Sequence, residues 1–134
     1  MKLENNWKQK TLENLEKTDG GNPSADYTNL VNNVLKLRKI PLDQFSVENL
    51  RLMIGQNVGL RYLIPISLDI LKNDLFAEGD FYPGDLLQNV LKIPTAFWKK
   101  NKELWKDIHA LIKDKVDEIA ENNISVKVFY DSGI

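Results

Sequence analysis

Three places in the sequence collect residue types capable of chemistry. The stretch 74–87, DLFAEGDFYPGDLL, holds four acids, Asp74, Glu78, Asp80 and Asp85, and no base falls between Lys72 and Lys92. Paired carboxylates can move protons or hold a cation. The spacing does not suit a calcium loop, since Phe76 stands where a ligand oxygen is needed, and turn and cap duty accounts for Gly79, Asp80, Gly84 and Asp85. His109 is the only histidine, which excludes a multi-histidine metal site and an HExxH helix. Placed beside an apolar stripe one turn after Trp105, it reads as a boundary residue rather than a general base. The third place is FWKKNKELWK, 97–106, where Lys99, Lys100, Lys102 and Lys106 mix with Phe97, Trp98 and Trp105. Such mixing can grip phosphates and stack bases, the mark of a small nucleic-acid-associated regulator. Against that reading, the aromatics fit core-facing positions, and 18 basic residues against 19 acidic ones give the chain no basic field. No nucleophile elbow, phosphate-cradling glycine loop or dinucleotide fingerprint occurs, and the absence of cysteine removes thiol chemistry. The chemistry on offer is recognition, with no enzyme activity, cofactor or metal implied.

The elements that must position these residues follow from periodicity. A chain of 134 residues is expected to form one domain, 1–134, burying roughly two thirds of its unfolded surface. Its organising stretch is Leu50 to Lys72, where Arg61, Pro65, Asp69 and Lys72 mark one narrow wet edge and Leu60, Leu63, Ile64, Leu68 and Leu71 form an apolar stripe. That predicts a bent central helix, with Pro65 on the wet edge so that the carbonyl it frees faces water. Gly55 and Gly59 separate it from a preceding helix that starts behind Ser46. Residues 3–17 read as helical, with Leu3, Trp7, Leu12 and Leu15 inward. TDGGNPS, 18–24, is a loop. A helix capped by Ser24 or Asp26 then runs to about Lys39 and buries Tyr27, Leu30, Val31, Val34, Leu35 and Leu37. Another begins near Asp80 to Pro83, a short one holds Phe97 and Trp98, and the clearest, about Lys102 to Asn122, keeps a 3.6 period. ISVKVFYD, 124–131, alternates instead and predicts an extended tail or short strand. The fold expected is mostly α, a bundle of about six or seven helices. MKLENNWKQK lacks the apolar core of a signal peptide, and Arg61 and Asp69 interrupt the central stretch, so neither export nor membrane insertion is expected.

The run LRKIPLDQFSVENLRLMIGQNVGLRYLIPISLDIL, followed by EGDFYPGDLLQNVLKIPTAFW, resembles the helical CdiI-type immunity proteins of bacterial contact-dependent growth inhibition. The similarity spans about residues 8–106. It is densest at Leu37-Arg38 with Pro41-Leu42, from Asn49-Leu50-Arg51 through Gly55-Gln56 to Gly59-Leu60, at Pro65, and from Glu78-Gly79-Asp80 to Gly84-Asp85-Leu86-Leu87. The chain departs from the family at Asp19-Gly20-Gly21, where a Trp-Gly pair is usual, and after Asn122. The resemblance implies a cytoplasmic inhibitor whose partner is the C-terminal toxin domain of a CdiA surface protein, commonly a nuclease. Such a protein needs no catalytic group, only a preorganised surface of typically about 1,600 Å². Because nuclease sites that hold phosphates are basic, an acidic face would steer encounter. On that basis Asp74, Glu78, Asp80 and Asp85 are the expected toxin-facing charges and Phe76 or Tyr82 the aromatic anchors. The competing expectation is that these residues mark the fold and the partner is held by the 18–24 loop or the tail.

Overall fold

The computed structural model describes residues 5–133. Among them are nine α-helices and no strand, where the periodicity predicts six or seven helices. Their common centre is the pair α3 (Val47–Gly55) and α4 (Leu60–Asn73). Ser46 caps α3 by accepting the Asn49 N–H, and Asn49 accepts the Ser46 N–H in return, a reciprocal capping box. Gly59 opens α4 in a left-handed conformation at φ 66°, and a Cβ there would stand 2.7 Å from Leu12 Cδ1. Both the backbone angle and the close approach require glycine. From there α4 runs through Pro65, burying Leu60, Leu63, Ile64, Leu68 and Leu71 as the stripe predicts, with Arg61 and Asp69 exposed.

The other helices lie against this pair. Leu12, on α1 (Leu12–Glu16), is fully buried beneath Gly59. α5 (Asp85–Leu91) packs chiefly on α3, α7 (Lys102–Ile112) packs on α4, and α6 (Thr95–Lys100) bridges α7 to α9 (Lys127–Asp131). Asn89 on α5 donates to the Arg51 carbonyl at 2.9 Å, and a Cβ on Gly55 would collide with that amide at 2.7 Å. Buried residues from Leu12 to Phe129 form one hydrophobic cluster. No helix among the described residues is long and apolar enough to cross a membrane.

Four expectations need correction. The first helical stretch divides into a 3-10 turn, Trp7–Gln9, and α1, while the inward assignment of Leu3 falls outside the described residues. The second helix, α2, is Asn29–Leu37, capped by Thr28; Ser24 and Asp26 form a turn ahead of it. Of its expected buried face only Leu37 is fully buried, because α3 is its main neighbour, and Tyr27, Leu30 and Val31 remain exposed. The long helix at 102–122 breaks after Ile112 and resumes as α8 (Val116–Glu121). Unbroken, about 20 residues would reach roughly 30 Å, the width of a small domain, whereas the break returns Ile119 to the core. Finally, the tail is neither extended nor a strand. With no partner strand, its amides would go unpaired in extended form. As α9 it bonds internally and seats Phe129 edge-on to Trp98 and stacked on Trp105, whose indole N–H donates to the Phe129 carbonyl at 2.8 Å.

Candidate functional site

The acidic stretch forms an exposed loop between α4 and α5, and its shape is set by two carboxylates beneath it. Asp85, the first residue of α5, is only 2% exposed. It accepts the Gly79 N–H at 2.7 Å and the Phe81 N–H at 3.0 Å. Glu48, on α3, accepts the Asp80 N–H at 2.8 Å and is itself gripped by both nitrogens of a fork from Arg51, each at 2.6 Å. Successive amides of the loop are thus pinned by charged acceptors from two different helices. These bonds are of the stronger, charge-assisted kind. The Arg51 hydrogen bonds, joined by the Asp80 amide, hold the Glu48 carboxyl below its ordinary range despite partial desolvation.

The loop closes on itself as well. Glu78 and Pro83 form an antiparallel bridge, and the Gly84 N–H donates to the Phe76 carbonyl at 3.0 Å. Gly84 takes φ 89°, and a Cβ there would press on Ile124 at 2.7 Å and on Phe76 at 3.1 Å. Gly79 leaves room for the converging carboxylates, since its Cβ would stand 2.6 Å from Glu48 Oε1.

What the loop presents differs in part from the residues anticipated for contact. Asp74, Glu78 and Asp80 are at the surface. Asp85 is turned inward and shapes the loop from below. Phe76 is half-buried under Gly84, while Tyr82 is 40% exposed and donates its hydroxyl to Gln88. Phe81 was not singled out in the sequence, yet it is 66% exposed and stacks over the Arg51 guanidinium at 4.3 Å. Its place midway between Gly79 and Gly84 was the available signal, because the centre of a tight loop is the part farthest from the core. The arrangement has the makings of a binding surface: two exposed aromatics on a rigid base, with carboxylates around them.

The remaining candidates lie elsewhere. His109 stacks on Trp105 at 4.8 Å between ring centres and meets Tyr130 edge-on at 5.4 Å. In the 97–106 stretch Trp98 is buried, and Trp105 is sandwiched by ring contacts with His109 and Phe129, so these aromatics belong to the packing. The 18–24 loop is fastened by Glu13, which accepts the Gly20 N–H and pairs with Lys39, and by Arg38, which pairs with Glu16 and donates to the Thr18 carbonyl. Beside it lies an apolar strip made of Tyr27, just ahead of α2 and 50% exposed, and Leu30 on α2, 41% exposed.

Several residues that carry the resemblance now have structural duties. Leu37 and Leu42 are buried, Asn49 completes a cap, Arg51 braces Glu48, and Gly55 admits Asn89. A family model described as CDI immunity proteins matches residues 14–108. No significant match occurs among curated proteins or solved structures.

Proposed function

Because this chain belongs to the family of CDI immunity proteins, we propose that it neutralises its cognate toxin domain in the cytoplasm by binding it, without catalysis, through the loop 74–82. The observation that carries this reading is the pinning of Gly79, Asp80 and Phe81 by Asp85 and Glu48. A loop held rigid before encounter loses little conformational entropy on binding. Phe81 and Tyr82 supply apolar area, and Asp74, Glu78 and Asp80 supply a negative rim. The partner best matched to that rim is a basic one, as a nuclease site that holds phosphates would be, and seating the loop there would exclude substrate.

Charge should act mainly on the rate of encounter and the aromatics on the lifetime of the complex. The double variant Glu78→Lys/Asp80→Lys is expected to slow association with the toxin domain roughly tenfold or more at low salt, with the difference shrinking as salt rises. Surface plasmon resonance across ionic strengths measures this, and unaltered kinetics would remove the loop from the interface. A second reading is favoured by the exposed strip Tyr27, Leu30 and Val31 beside the 18–24 loop. If that strip is the grip, Leu30→Asp abolishes binding and the loop variants do not.

A further inference from the structure

Between α4 and the α6–α7 junction lies a cavity of about 470 Å³. Arg61 reaches it from α4, and Lys99, Lys100 and Lys102 reach it from the junction, so four cations share its lining with the carboxylates of Glu103 and Asp107. Glu103 is partly engaged by Lys106 at 3.4 Å, outside the lining. None of the four cations makes an ion pair with a described residue. Pro65 and Leu104 supply apolar wall.

All four cations are exposed, and Lys102 opens α7, whose N-terminal amides present the positive end of the helix dipole, with Glu103 in the same first turn. Asn101, at the cap position, gives that end no side-chain acceptor and donates its amide to the Phe97 carbonyl instead. A bound anion would pair with these cations and complement that helix end.

We propose that this cavity binds a compact phosphate-bearing ligand, with Arg61 offering its planar fork and the three lysines adding point charges. Two or more negative charges suit the excess of cations better than a single carboxylate. The aromatics nearby favour a compact ligand over a nucleic-acid strand: Trp98 is buried and Trp105 is held between His109 and Phe129, so neither offers a free face for a base. The site is independent of the toxin-binding reading and stands or falls separately.

Titration of the full chain with pyrophosphate, ADP and adenosine, followed by amide NMR shifts, tests it. Saturable binding of pyrophosphate with shifts at Arg61 and 99–104 is expected, and Arg61→Ala/Lys100→Ala should weaken it at least tenfold while Lys106→Ala does not. Both lysines and Arg61 are exposed, and thermal melting verifies that the variants fold. Equal affinity for pyrophosphate and ADP identifies free diphosphate as sufficient; ADP at least tenfold tighter identifies a nucleotide, and either upholds the proposal. Adenosine binding as well as ADP, no saturable shift with any phosphate, or affinity that appears only with single-stranded RNA and grows with its length would overturn it.

Discussion

Single residues in this protein divide between those that shape the acidic loop and those that it displays. Asp85 is on the first side: its carboxylate is buried and accepts amides of Gly79 and Phe81. Asp85→Ala strands those donors and should cost about 2–4 kcal/mol, read as a lowered denaturant midpoint, with toxin affinity falling as the loop loosens. A stability change within error would mean the loop is held by other bonds. Glu48 extends the argument to pH. Its carboxyl is held below the ordinary value of 4.5 by Arg51 first and by the Asp80 amide, with desolvation opposing. The folded protein thus binds the proton less readily than the unfolded chain. This stabilisation is complete above the unfolded value and is lost as pH falls through the lower, folded one. Denaturation measured from pH 6 downward should show Glu48→Gln with a shallower acid loss than the native chain. Parallel curves would remove Glu48 from the account. From sequence, the acidic cluster was legible, but its inner and outer members were not. Charge alone cannot reveal that Asp85 points down to the loop's own amides, or that Phe81 points out over Arg51, some thirty residues away in sequence.

Among the elements, the joint between α3 and α4 carries the most consequence. Gly59 combines φ 66° with contact against Leu12, so Gly59→Ala meets both backbone strain and a clash. The expected loss is about 2–4 kcal/mol, measured by urea unfolding, and a loss under about 0.5 kcal/mol would contradict the packing described. The helices around this joint were legible because glycine, proline and serine punctuate a strong apolar period. Ser46 caps where its hydroxyl predicts, and α4 buries the stripe read from its spacing. Elsewhere local pattern was overridden. The alternation at 124–131 suggested a strand, but helix α9 satisfies its own backbone and inserts Phe129 between two tryptophans. The apolar period of α2 suggested a buried face, but too little of the molecule folds over it, leaving Leu30 and Val31 exposed.

At the scale of the whole molecule, a net charge of −1 conceals segregation into an acidic loop and a cationic cavity. The first was visible as a run of acids; of the second, the 97–106 cluster displayed Lys99, Lys100 and Lys102, but not Arg61, which comes from a separate helix and joins them only on folding. A small helical body that displays a rigid loop is suited to cover another protein. Calorimetric titration against the cognate toxin domain, with residual toxin activity followed on the same samples, tests that claim most directly. The account predicts a one-to-one complex of about nanomolar affinity or tighter, with toxin activity falling in step with occupancy and reaching background at equivalence. Full toxin activity in the saturated complex, or inactivation by far less than one equivalent, would contradict it.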